Sequence, residues 1–333
     1  MFQTEPILFL QSFSNNLLDT IFIIITGLGD KDMAQLFLIV IIFGIDYRKG
    51  FILLHLVIWT AFATSVLKDF FALPRPFYVD SAVRAIGRNV ANPTPLKVMG
   101  ADTFWGLPDN AVIEYVRTHR MGSYGFPSGH TSGTVAMWGG VMFLFQKKWP
   151  TLAGGLLLAL IPFSRIYLGR HFLADVLGGY MLGGFLLWVI YHVSAGRTAK
   201  NFLFSSYHLF ASNRETIFLL GYLFGLPFLI LLIFRSHSTY PALLLGLNLG
   251  FFLVRLKGLP DDSGSVFRRM MRVSVAGLIF LMTDYLLNVA FKTALSGSSV
   301  FIAHARPILL MACFAWAATE INILLGLMKR GKQ

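Results

Sequence analysis

SRIYLGRHFLAD, residues Ser164 to Asp175, sets two arginines, a histidine and an aspartate between long apolar segments. If the chain is helical from His171 onward, His171 and Asp175 lie four residues apart and stack on one helix face. The Asp175 carboxylate then accepts the N–H of one imidazole nitrogen and leaves the other nitrogen as a nucleophile. Arg165 lies six residues before the histidine, across Gly169, where a bend folds its guanidinium back over the same spot. Guanidinium binds phosphate bidentately, so the stretch reads as phosphoryl chemistry. A buried and satisfied His–Asp pair would give the same local pattern, and two other stretches bear on the choice.

KDFFALPRP carries Lys68, Arg75 and Pro76, and GFPSGHTSG carries Pro127, Ser128, Gly129 and His130. In the second, a proline and small residues precede an apolar run, so the peptide N–H groups of Ser128 and Gly129 open a helix and grip an anion. Taken in order, the three stretches resemble the signature of the type 2 phosphatidic acid phosphatase superfamily, and no signature residue departs from it. That superfamily includes lipid phosphate phosphatases, glucose-6-phosphatases, some soluble acid phosphatases and the vanadium haloperoxidases. The resemblance covers the chain to about residue 195 and implies a division of labour. His171 attacks phosphorus and forms a phosphohistidine, and Asp175 fixes its tautomer. His130 protonates the leaving oxygen. Lys68, Arg75 and Arg165, with the backbone at Ser128 and Gly129, hold the phosphate oxygens and neutralise developing charge. With cations in that role, neither a metal nor another cofactor is expected, and no metal-ligand cluster is evident elsewhere.

Composition points the same way about the setting. The chain has 333 residues, of which 56% are hydrophobic and 13% charged, about half the usual charged share. Such a chain cannot cover a soluble globule with polar surface, so an all-α, polytopic helical membrane protein is expected, its catalytic core a helical bundle. The net charge of +12 does not indicate nucleic acid, because the basic residues form no single patch with aromatic interleaving. Instead they fall in short clusters between apolar runs, the pattern of cytoplasmic loops. A single cysteine, Cys313, excludes an intrachain disulfide. The N-terminus shows neither the basic region nor the cleavage site of a signal peptide.

Residues 4–28 read as an amphipathic interfacial half followed by an apolar half too short to span alone. Beyond them the hydropathy gives about nine candidate crossings, where a full span needs roughly 20 residues. They lie near 31–46, 51–71, 131–147, 151–164, 171–192, 216–234, 241–256, 272–292 and 304–327. The stretch 77–126 is long and polar, with no run able to cross. The positive-inside rule makes Arg48/Lys49, Lys147/Lys148, Arg197/Lys200, the basic group at 255–272 and the tail Lys329, Arg330 and Lys332 cytoplasmic. Lys68, Arg75, the 77–126 loop, His130, Arg165 and His171 then share the opposite face, and the charge pattern reaches this result without using the motifs. Two parts result: residues 1–195, the catalytic bundle, and residues 202–333, a four-helix membrane extension.

Several residues stay open at this level. Ser164 fits a hydrogen-bonding support or a direct phosphate contact, and Arg170 reads as a surface or headgroup-facing charge. His119 and Arg120 sit in the outer loop, where a gating role is a guess. The remaining histidines read as structural or interfacial. Asp284, Asn288 and Lys292 recur every four residues and fit either packing against neighbours or a substrate path.

The expectation is a metal-independent hydrolase integral to a membrane, a bacterial inner or plasma membrane, with its active site on the periplasmic or extracellular side. It would strip phosphate from a phospholipid or isoprenoid phosphate: phosphatidate, phosphatidylglycerol phosphate, polyprenyl pyrophosphate or a sphingoid-base phosphate. Its partners are that substrate and membrane lipids; nothing fixes an oligomeric state. The alternatives are a phosphatase of a soluble sugar phosphate, glucose-6-phosphatase-like, and a transporter that binds a phosphate ester without turnover. The His130, His171 and Asp175 set favours chemistry over transport, since binding alone needs only the cations.

Overall fold

The computed structural model describes residues 1–87, 100–119, 124–196, 214–294 and 300–331. The readings made on Arg120, Arg197, Lys200, His208 and Lys332 lie outside these residues.

The protein is a polytopic helical membrane protein. Its helices are α1 (Glu5–Ser12), α2 (Asn16–Gly27), α3 (Lys31–Ile39), α4 (Tyr47–Phe71), α5 (Pro76–Val79), α6 (Asn110–Thr118), α7 (Gly129–Thr134) and α8 (Gly140–Phe145). They continue as α9 (Lys148–Tyr167), α10 (Leu173–Ala195), α11 (Arg214–Leu220), α12 (Leu226–Ile233), α13 (Thr239–Leu256), α14 (Val266–Ala294) and α15 (Val300–Leu324). Local chemistry sets several ends. The Asn15 side chain accepts from Leu17 N and Leu18 N and so caps α2. Ala72, at φ 47°, and the prolines at 74 and 76 stop α4 just before Arg75.

Among the described residues, seven segments are long and apolar enough to cross a membrane: Tyr47–Val79, Lys148–Tyr167, Leu173–Ala195, Thr216–Ile233, Thr239–Leu256, Val266–Lys292 and His304–Leu324. The count of about nine is therefore not reached. The crossing read near 31–46 is α3 followed by a π-helical turn, Val40–Ile45. The one read from 131 is α7, a π-helical turn at Val135–Gly139, and α8. At about 1.5 Å per residue these run roughly 22 and 25 Å, short of the ~30 Å hydrocarbon core.

The chain forms two compact units, Met1–Ala34 with Trp59–Val189, and Gln35–Ile58 with Ile190–Gln333. In the first unit, the stretch read only as polar loop supplies part of a core. Val112, Ile113 and Val116 on one face of α6 pack with Phe77, Val79, Phe2, Ile7 and Phe172. Phe172 follows His171 directly, so this core sits beneath the histidine's own backbone. Helix α10 approaches α7 through glycines. A Cβ on Gly179 would lie 2.7 Å from the Ser128 carbonyl oxygen, and one on Gly183 would lie 2.9 Å from that of Ser132. Small residues four apart let two membrane helices meet backbone to backbone. Thr64 Oγ1 and Ser132 Oγ, 2.8 Å apart, tie α4 to α7.

The second unit repeats the device, since a Cβ on Gly250 of α13 would lie 2.7 Å from the Ala312 carbonyl oxygen of α15. Phe51 stacks on Phe251 at 3.8 Å between ring centroids. Asp284 of the polar stripe pairs with Arg306 of α15 at 2.5 Å, which favours packing for that residue. Two short antiparallel strands, Pro260–Asp261 and Lys329–Arg330, close this unit, with Pro260 opposite Arg330.

Gly179→Ala should destabilise the protein by about 1–3 kcal/mol, because the methyl meets backbone that cannot yield. Gly184→Ala, where a Cβ meets nothing within 4 Å, should stay within about 0.5 kcal/mol of the parent. Thermal unfolding of both variants in detergent checks the contrast.

Candidate active site

The site is built where α9 turns into α10. Helix α9 ends at Tyr167, and Gly169 takes φ +67°, a conformation that glycine adopts without a Cβ clash. The reversal brings the N–H groups of Arg170 and His171 onto the Arg165 carbonyl, at 2.9 and 3.2 Å. Regular helix resumes only at Leu173. His171 and Asp175 are therefore not stacked on one helical face, as the spacing first indicates; the histidine lies just outside the helix. Asp175 sits in the first turn of α10, where Oδ2 accepts the Phe172 N–H at 3.0 Å and the His171 Nδ1–H at 3.1 Å. An acidic side chain three residues into a helix reaches back to the free N–H at its start. The same carboxylate oxygen that caps the helix therefore holds the imidazole.

That bond places the proton on Nδ1 and the lone pair on Nε2. Arg75 Nη1 lies 3.4 Å from Nε2 and also donates to the Arg170 carbonyl at 3.1 Å. His171 and Asp175 are both buried. Burial, then the charges of Arg75, Lys68 and Arg165, hold the His171 pKa well below the usual histidine value. The imidazole is thus neutral, with a free nitrogen turned toward a guanidinium.

The remaining expected residues gather around it. Lys68 Nζ donates to the carbonyls of Tyr124 and Gly125, at 2.6 and 3.0 Å. Gly125 is squeezed between two segments of the site: a Cβ there would lie 2.7 Å from the Pro74 carbonyl and 3.0 Å from Asp175 Oδ2. Arg165 is buried and donates from Nη1 to Thr26 Oγ1 at 2.7 Å. Gly129 opens α7 beside the lysine, whose Cε would lie 3.8 Å from a Cβ at that position. The Ser128 N–H, expected to grip an anion, instead donates to the Asp175 carbonyl at 2.8 Å. Its Oγ accepts from Thr131 N and Thr131 Oγ1 and caps α7. Ser128 therefore fastens the GFPSG turn to α10.

His130 lies close enough for its charge to act on His171, and its Nε2 lies 2.9 Å from Asp30 Oδ1. Neither Asp30 nor Thr26 belongs to a motif, and the sequence reading passed over both. The visible signal was a carboxylate and a hydroxyl four residues apart at the end of an apolar helix. One further reading changes and one is narrowed. Arg170 is buried, not surface-facing, and donates to the Ile86 carbonyl at 2.6 Å. Ser164 is buried and donates to the Ile161 carbonyl at 2.6 Å, a supporting bond within α9. Among the described residues, no group of three or more His, Cys, Asp or Glu is placed to hold a metal ion.

Three short motifs meet around one neutral imidazole, and the segment that contains them matches a known family across residues 49–199. The family is the PAP2 superfamily. All of the site residues expected from sequence lie within it; Thr26 and Asp30 precede it. Among curated proteins, the chain is 30% identical over 96 residues to a lipid A 4'-phosphatase of Bacteroides thetaiotaomicron, covering 28% of this chain and 43% of the relative. It is 36% identical over 84 residues to a lipid A 4'-phosphatase of Porphyromonas gingivalis, covering 24% and 36%. With phosphatidylglycerophosphatase B of Bacillus subtilis it shares 34% over 77 residues, covering 20% and 38%. In each case the matched part spans less than half of the relative's length. No solved structure matches the chain.

Because repulsion from Arg75 disfavours the imidazolium, Arg75→Ala should raise the His171 titration midpoint toward the unperturbed value of about 6.5. A pH titration of the imidazole-nitrogen resonances in histidine-labelled protein checks the direction.

Proposed function

We propose that this protein is an integral membrane phosphatase that hydrolyses a lipid phosphate or pyrophosphate at the non-cytoplasmic leaflet through a phosphohistidine. The observation that carries the reading is the His171 imidazole, tied through Nδ1 to Asp175 at 3.1 Å and facing Arg75 through Nε2 at 3.4 Å. A nucleophile needs a free lone pair, an oriented ring and a cation near the incoming phosphate.

In the first step Nε2 forms a bond to phosphorus while the bond from phosphorus to the leaving oxygen breaks. His130 gives that oxygen a proton, a contribution of typically about 10²–10⁴ in rate. In the second step His130 takes a proton from water, the resulting hydroxide attacks phosphorus, and the phosphorus–nitrogen bond breaks. Lys68, Arg75 and Arg165, with the Gly129 N–H, hold the phosphoryl oxygens while their charge grows. The bonds to the Tyr124, Gly125 and Arg170 carbonyls keep two of those cations in place and bring no countercharge of their own.

The substrate class follows from the setting and from the relatives. The basic clusters favour the face opposite the cytoplasm for the motifs. The named relatives act on lipid A and on phosphatidylglycerophosphate, so a phosphorylated lipid is favoured over a soluble sugar phosphate. The signature itself reads only the phosphate.

His171→Ala should abolish phosphate release, a loss of about 10³-fold or more, while the protein still inserts and purifies. Vanadate, which mimics the five-coordinate phosphorus, should inhibit the parent enzyme, and a chelator should leave its rate unchanged. Phosphate release by detergent-purified protein across lipid and sugar phosphates measures all of these. Full activity of His171→Ala would refute the assignment, and uptake of a phosphate ester without hydrolysis would favour the transporter.

A further inference from the structure

The imidazole cast as proton donor has a partner that the motifs do not contain. His130 Nε2 lies 2.9 Å from Asp30 Oδ1, and Asp30 occupies the turn between α2 and α3, ahead of the segment that matches the PAP2 superfamily. An isolated ion pair with one exposed member contributes little to stability, and the Asp30 side chain is 57% exposed. Its placement is another matter. A Cβ on the neighbouring Gly29 would lie 2.9 Å from Ile161 Cγ2 and 3.3 Å from His130 Cδ2, so the backbone of this turn rests against the imidazole edge. One helical turn earlier, Thr26 Oγ1 receives the Arg165 guanidinium at 2.7 Å. Earlier still on α2, Asp19 accepts from the Tyr167 hydroxyl at 2.6 Å. Helix α2 is thus fastened to α9 along its length, and its end meets two separate motifs.

The geometry points to Asp30 as a positioning residue for the acid–base step: it accepts the Nε2–H of His130, so the proton given to the leaving oxygen is the one on Nδ1. This rests on the phosphatase reading above. While His171 Nε2 bonds to phosphorus and the leaving-group bond breaks, the departing oxygen takes the Nδ1 proton. His130 becomes neutral, with its remaining proton on Nε2 against Asp30. When water attacks the phosphohistidine, Nδ1 takes a proton from it and the imidazolium is restored. The charges that face His130 are Asp30, Arg165 of α9 and Arg75, and His171 also lies within its field. Burial first, then Arg165 and Arg75, push the His130 pKa down to about 4, and Asp30 acts against them; it is the group that favours the imidazolium the reaction consumes.

The test compares two leaving groups. An alkyl oxygen, as in phosphatidate, needs a proton to depart; the p-nitrophenolate of p-nitrophenyl phosphate does not. Asp30→Asn should lower kcat on phosphatidate by about tenfold or more and on the aryl ester by no more than about threefold. It should also move the alkaline limb of kcat/KM for phosphatidate to lower pH, since removing the carboxylate makes the imidazolium easier to deprotonate. Asp30→Glu should recover part of the loss. Asn and Ser both keep the capacity to cap α3, so Asp30→Ser serves in place of Asn if that variant unfolds. Equal losses on both esters with an unmoved pH limb would overturn the proposal, as would no loss on either. A parent protein that releases phosphate neither from these esters nor from any other lipid or sugar phosphate would overturn the phosphatase reading itself, and this inference with it.

Discussion

One carboxylate oxygen organises the site. Asp175 Oδ2 closes the start of α10 through Phe172 N and orients His171 through Nδ1, while the Asp175 backbone carbonyl holds Ser128 N at 2.8 Å. The helix, the imidazole and the GFPSG turn are therefore referred to a single residue. This explains a spacing that i,i+4 stacking explains only in part. A histidine immediately before the cap and an aspartate in the first turn are what let one side chain serve two donors. A carboxylate moved one residue along would lose the capping bond, and with it the rigidity that fixes the imidazole.

Around that anchor the protein gathers like charges, which repel. Lys68, Arg75 and Arg165 all act on His171, and they arrive from the end of α4, the segment beyond it and the end of α9. Their bonds to the Tyr124, Gly125 and Arg170 carbonyls and to the Thr26 hydroxyl are bonds to neutral acceptors. Such acceptors fix direction and add no countercharge of their own, which suits a group meant to receive an anion. Packing supplies the force that holds the arrangement. Gly179 and Gly183 bring α10 against α7, and the small core around Phe172 and Val79 seats the bend from below.

Much of this was legible in the sequence. The His171–Asp175 pairing, the bend at Gly169, the membrane setting and four long C-terminal helices all follow from spacing, glycine placement and hydropathy. Features that escaped have physical causes. Arg170 looks like a surface charge because a buried guanidinium is recognisable only once its acceptor, the Ile86 carbonyl, is placed beside it. Residues 77–126 look like bare loop because α6 is nine residues long and its buried face finds partners distant in the chain. The crossings at 31–46 and 131–147 read as spans because they are apolar, yet their helical stretches, Lys31–Ile45 and Gly129–Phe145, have too few residues to cross.

Asp30 and Thr26 escaped for a deeper reason. A motif can be recognised because the reacting groups must keep fixed positions relative to one phosphorus atom, and short loops enforce that locally. Supporting contacts carry a weaker constraint: any helix that delivers an acceptor to the right nitrogen will serve, from any place in the chain. Here the acceptors come from the end of α2, whose residues form an apolar helix too short to span and resemble a mere interfacial anchor. Reading such a segment by hydropathy alone accounts for where it lies and overlooks its polar end. The two polar side chains there, one turn apart, reach Arg165 and His130. A segment that ranks as peripheral by composition is in this protein part of the wall of the candidate site.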